Sequence, residues 1–151
     1  MKHQLTFILL SVALLLVSAC GRPIPPDWAV PYMELFNQEA HVRGVDADAF
    51  DTEFVIVETI EGADAIIGMC YYADNRVEVE EKFWKYASDT EREILIFHEL
   101  GHCALKKGHS DSGIMRPQLL NEDYYLRHRS QLLDDLFLLP RSFYVWSKGD
   151  L

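Results

Sequence analysis

The chain has 151 residues, a length suited to one domain, and carries 14 basic against 24 acidic side chains for a formal net charge of −10. A nucleic-acid partner is thereby set aside, because phosphate binding needs a basic face. The surplus of acid reads as a solubilising surface, and the chain is long enough to bury a real core.

In chain order, Lys2 and His3 precede an apolar run from Leu5 to Val17, which Val17-Ser18-Ala19-Cys20 closes. This is the layout of a secretory signal, too short and too one-sided for a membrane span. A small-residue tripeptide before cysteine resembles the bacterial lipobox, whose cysteine is lipidated and becomes the new N-terminus. Residues 1–19 are therefore expected to be a lipoprotein signal peptide and Cys20 the lipidation site. Ordinary cleavage after Ala19 is the alternative. Gly21 follows with no aspartate, which resembles outer-membrane sorting if the cell is Gram-negative. The expected location is the bacterial envelope, with the membrane as a partner through the N-terminal lipid. Residues 20–31 contain Pro23, Pro25, Pro26 and Pro31 and read as an extended tether, leaving 32–151 as the folded domain.

Tyr32 to Arg43 places Met33, Phe36 and Ala40 on one helical stripe and stops at Gly44. Phe54 to Val57 is β-rich, and Ala65 to Tyr72 is a second apolar run. Arg76 to Glu80 alternates like a half-exposed strand, and the Asp74-Asn75 turn signal suggests a hairpin with the preceding run. Phe83, Trp84 and Tyr86 read as aromatic packing under the next helix. That helix opens at Ser88, where Ser88 with Glu91 fits a capping box, and should run to about Lys106, with Gly108 as its left-handed exit. A last helix is expected from Glu122 to about Leu138 with Asn121 as N-cap.

The chemistry concentrates in His98-Glu99-Leu100-Gly101-His102, an HExxH motif. Histidines four apart share a helix face and can reach one metal ion, while the glutamate beside them can deprotonate a bound water. A catalytic zinc takes three protein ligands. His109 is the first choice for the third, because imidazole suits zinc and Gly108 allows the chain to fold back; Asp111 and Glu122 are the other candidates. Cys103 is turned about 100° away from its neighbour His102 and is not expected at the metal. Cys70 and Cys103 form an even pair once Cys20 is set aside, so an exported chain could join them, or both could be buried free thiols.

HELGHCALKKGH followed by SGIMRP resembles the metzincin clan of zinc peptidases, with Met115 in the place of the Met-turn residue that packs beneath the ligands without binding the metal. The clan places a glycine three residues after the second histidine and the third histidine three after that. Here Leu105 and Gly108 stand at those positions and His109 comes one residue late, which keeps Asp111 in contention. A wider resemblance to small bacterial metallopeptidase lipoproteins rests on Phe36 to Gly44, Gly68 with Cys70, IFHELGHCAL and Asp135-Leu136-Phe137. It favours the Cys70–Cys103 disulfide.

The resemblance implies an α+β, zincin-like domain: a small twisted sheet packed on an N-terminal helix and an active-site helix, a Met-turn and a C-terminal helix. It also implies Zn2+ on His98, His102 and His109, and hydrolysis of a peptide or protein substrate by water activated at the zinc, with Glu99 as general base. The peptide would lie along a sheet edge near Ile66 to Tyr72. Tyr124 or Tyr125 could assist the oxyanion, although packing at a helix start suits them better. The competing expectation is a zinc-stabilised envelope lipoprotein that binds or assembles without turnover.

Overall fold

A computed structural model describes residues 22–61 and 65–138. The proposed signal peptide, Cys20 and the last thirteen residues of the expected domain lie outside the described residues. The fold is α+β, with four α-helices and one three-stranded mixed sheet among the described residues. Among the described residues no helix is long and apolar enough to cross a membrane.

Helix α1 spans Val30–Val42 and begins inside the segment read as tether, with Pro31 in its first turn, where the missing N–H costs nothing. Ala29 is already fully buried and Trp28 stacks edge-on to Phe54 and Trp84, so packing starts before Tyr32. Met33, Phe36 and Ala40 form the buried stripe, and Gly44 (φ 69°) ends the helix as its sequence suggested. A 3₁₀ turn, Ala49–Asp51, then leads into strand β1, Glu53–Val57.

Strands β2 (Gly68–Tyr71) and β3 (Arg76–Glu80) form the expected antiparallel hairpin, with Asn75 at φ 49° in its turn. Strand β1 pairs in parallel with β3, giving the order β1-β3-β2 and leaving β2 at an edge. Helix α2, Glu81–Tyr86, follows directly, where the sequence suggested only aromatic packing. Trp84 does pack, against Trp28 and Tyr32, and the Arg92 guanidinium lies over its ring; Tyr86 instead is exposed.

Helix α3 spans Asp89–Cys103 and α4 spans Glu122–Leu138. The capping box on α3 is complete: the Glu91 N–H donates to Ser88 Oγ (3.1 Å) and the Ser88 N–H donates to the Glu91 carboxylate (2.8 Å). At α4 the Tyr124 N–H donates to Asn121 Oδ1 (3.1 Å). Phe36 of α1 sits between Phe97 of α3 and Phe137 of α4, with ring centroids 5.3 and 5.0 Å away. This three-helix seam is the centre of the core, and truncating Phe36 to alanine there would cost about 3–5 kcal/mol.

Charge crosses the same seam. Glu93 of α3 accepts from the Tyr125 hydroxyl (2.6 Å) and from Arg129 (2.8 Å), both on α4. Arg129 also pairs with Glu39 of α1 (2.7 Å), which holds Arg43 (2.5 Å), and Arg43 pairs in turn with Asp134 (2.8 Å). The three helices are thus pinned in register around α3.

Candidate metal centre

The C-terminal half of α3 carries His98, Glu99 and His102 toward a cleft of about 520 Å³. One wall is the edge of the sheet, from Ala65 through β2 to Tyr72; the other runs from Gly108 to Leu119. Burial follows the function of each face: Leu100 and Phe97 point into the core, while the cleft holds Glu99 and His102, which are nevertheless 97 and 94% shielded from solvent, being only 3 and 6% exposed.

Each motif histidine is oriented by a backbone carbonyl. His98 Nδ1–H donates to the Ile114 carbonyl and His102 Nδ1–H to that of Lys107, both at 2.7 Å. A carbonyl only accepts, so both Nδ1 atoms carry the proton and both Nε2 atoms present lone pairs. Those Nε2 atoms lie 3.1 Å apart. Two lone pairs at that distance repel unless a cation lies between them. Burial, then the neighbouring imidazole charge, pushes His98 down to about 3, and burial pushes His102 down to about 4, so both are neutral at physiological pH, as ligands must be.

His109 completes the set. Its ring centroid is 5.3 Å from that of His98 and 4.7 Å from that of His102. One ligand atom from each of the three histidines lies within 4.8 Å of the others. Neither Asp111 nor Glu122 belongs to this cluster. Glu122 instead accepts from Ser88 Oγ (3.1 Å) at the opposite end of α3. Cys103 is joined to Cys70 in a disulfide that ties α3 to β2. Three imidazoles converging from a helix and a following loop suit a borderline cation such as zinc, so the residues present fit the metal.

The one-residue delay of His109 is absorbed at the end of α3, and not at the predicted place. Gly108 has no positive φ; Lys106 takes the left-handed position instead, at φ 55°. The Lys106 N–H donates to the His102 carbonyl (3.1 Å) and the Lys107 N–H to that of Gly101 (2.9 Å), a closure one residue wider than the Schellman pattern. This turn swings the Lys107 carbonyl back onto His102 and brings His109 beside His98 and His102. Met115 lies beneath. A Cβ on Gly101 would run into its sulfur, so the motif glycine is the space Met115 occupies. The Met115 carbonyl accepts from the Ser110 N–H (2.9 Å), which closes the tight loop after His109.

Glu99 sits at the free edge of β2. The Glu80 N–H donates to the Ile67 carbonyl (3.0 Å), so alternation turns the backbone groups of Gly68 and Cys70 away from β3. The Cys70 N–H donates to the Glu99 carboxylate, but burial dominates and pushes the carboxyl up to about 8. Gly68 makes the approach possible: a Cβ there would stand 2.8 Å from both Glu99 Oε1 and Leu95 Cδ1.

Several participants had no signal of their own in the sequence. The Tyr72 hydroxyl donates to the Lys107 carbonyl (3.1 Å) and lies 3.2 Å from His102 Nδ1. Burial, then the Glu99 charge, pushes its pKa up, which keeps it protonated as a donor. Tyr124 and Tyr125 do not line the cleft: Tyr125 is buried on Glu93, and Tyr124 stacks on His128 at the surface.

A family model described as "Putative phage metallopeptidase" matches residues 43–129, a span that contains the sheet, the histidine cluster and the first half of α4 up to Arg129. No curated protein and no solved structure matches the chain.

Proposed function

The chain belongs to that phage metallopeptidase family, and on this premise we propose that it is a zinc-dependent peptidase, exported and held at the bacterial envelope by a lipid on Cys20. The observation that carries the catalytic reading is the pairing of two facing Nε2 lone pairs, 3.1 Å apart, with a buried carboxylate on the intervening residue. Zinc held by His98, His102 and His109 would supply Lewis acidity, acidifying water and polarising the scissile carbonyl.

Everything else falls to the chain's own groups. Burial pushes the Glu99 carboxyl up to about 8, and a cation held by the three histidines would draw it back down, leaving a carboxylate that takes the proton of the attacking water and passes it to the leaving amine. The outward backbone groups of β2, apart from the Cys70 N–H that Glu99 takes, offer main-chain hydrogen bonds to an extended peptide. The Tyr72 hydroxyl, on the Nδ1 side of His102 and donating to the Lys107 carbonyl, braces that imidazole rather than the reacting carbonyl. The Lys107 and Ile114 carbonyls fix the imidazole tautomers.

Metal analysis of the purified protein together with a peptide-library digest tests this reading. About one zinc per chain and cleavage that disappears in Glu99→Gln with zinc retained are expected. Zinc without any cleavage would favour a non-catalytic, metal-stabilised envelope protein, and no zinc would end both readings. Lipid labelling that survives Cys20→Ala would sink the anchor.

A further inference from the structure

Arg116 stands out among the charged residues of the cleft. It is the one cation lining it among the described residues, as Glu99 is the one carboxylate. The chain around it is strongly acidic, at −10 overall, and its other arginines are mostly committed. Arg22, Arg43, Arg76, Arg92 and Arg129 all form ion pairs. Arg116 forms none among the described residues and is exposed. In so acidic a chain, a cleft guanidinium with no ion pair among the described residues is positioned for a partner from outside.

Its backbone is also well held. The Arg116 N–H reaches the Gly113 carbonyl (3.5 Å), the preceding Met115 is buried and bonded back to Ser110, and Pro117 fixes the next φ. Two residues earlier, the Ile114 carbonyl orients His98. The arginine is therefore carried on the same loop that orients His98, and it lines the cleft whose other wall includes β2. The remainder of the lining is largely apolar, with Ile66, Ile67, Leu95, Ile114 and Leu119 contributing.

From this placement we infer that the substrate is a peptide bearing a carboxylate within a few residues of the scissile bond, and that Arg116 is the specificity-determining residue that recognises it. The inference rests on the peptidase reading above. A planar guanidinium matches a carboxylate in two parallel hydrogen bonds, which adds direction as well as charge. The protein's net negative field opposes an acidic peptide at long range, but it is screened beyond about 10 Å, so the contact cation decides at the cleft.

The carboxylate can come from an acidic side chain or from the peptide's own C-terminus, and the test separates them. Zinc-loaded protein is assayed on matched peptides in which Asp or Glu is replaced by Asn or Gln at each position around the cleaved bond. Each is made with a free or an amidated C-terminus. The parent is expected to prefer the charged member of one matched pair by about tenfold in kcat/KM. Arg116→Gln should bring that ratio close to one, and Arg116→Glu should invert it in favour of a Lys-substituted peptide, with thermal unfolding of both variants matching the parent. Loss of preference on amidation assigns the terminal carboxylate; loss on Glu→Gln assigns a side chain.

Cleavage by the parent with no preference for any charged member overturns the inference while leaving the peptidase reading intact. So does a preference that persists in Arg116→Gln. Absence of cleavage of every peptide overturns the peptidase reading and this inference with it.

Discussion

Helix α3 carries two shielded glutamates six residues apart, and they live in opposite circumstances. Glu93 faces α4 and is surrounded by donors: the Tyr125 hydroxyl at 2.6 Å and the Arg129 guanidinium at 2.8 Å. Glu99 faces the cleft, only 3% exposed, with no ion pair among the described residues, and the Cys70 N–H is too weak a partner to offset its burial. The first is a carboxylate whose charge is answered within the fold. The second has its charge left unanswered, and burial pushes it up to about 8, where it can exchange a proton. A helix can therefore serve as a structural strut at one end and a reactive surface at the other, with the neighbours of each carboxylate making the difference.

The sharpest way to break this comparison is to neutralise each glutamate in turn. Glu99→Gln should lower peptide turnover by about 10²–10⁴-fold, the usual share of a general base, while chemical denaturation shows stability equal to or above the parent. Glu93→Gln should do the reverse: activity near the parent's, and a loss of about 1–3 kcal/mol as Arg129 and Tyr125 lose a charged partner. Exchanged phenotypes would mean the two roles have been misassigned.

Next in size is Gly68→Ala. Its new methyl would meet Glu99 Oε1 and Leu95 at 2.8 Å, so the carboxylate must shift. Turnover should fall by about ten- to a hundredfold with zinc content unchanged, measured on the same preparation. Unaltered kcat would show that Glu99 has room to spare.

A smaller effect concerns acid stability. Burial raises the Glu39 carboxyl, but hydrogen bonds and charge from Arg129 and Arg43 outweigh it, so the group lies below its ordinary 4.5. Its contribution is thus complete above pH 4.5 and is lost as pH falls through the lowered folded value. Glu39→Gln should lower the unfolding free energy at neutral pH and flatten its fall below pH 4.5. A parallel fall in parent and variant would remove Glu39 from the acid response. Smallest is Lys106→Gly, expected to add up to about 1 kcal/mol by relieving a left-handed non-glycine residue, read as a raised melting temperature.

Local chemistry explains which features were legible in the sequence. The Ser88–Glu91 box, the Asn121 cap, the Asp74-Asn75 turn and the stripe of α1 each depend on side chains a few residues apart, and each forms where it was read. The end of α3 was not legible, because glycine is the usual left-handed residue and the closure fell on Lys106, two positions before Gly108. Tyr72, the Ile114 and Lys107 carbonyls and Arg116 reach the cleft only through tertiary folding. No spacing in the chain announces a carbonyl that will orient an imidazole sixteen residues away.

The Cys70–Cys103 bond has a mechanical consequence for the cleft. It closes a loop of 33 residues in sequence, which the chain-entropy account values at about 3–4 kcal/mol. It also welds the strand that would carry the peptide to the helix that carries His98 and His102. The floor and one wall then behave as a single jaw. The opposite wall, Gly108–Leu119, bears His109 and Arg116 and is held to α3 by the hydrogen bond from His98 to the Ile114 carbonyl.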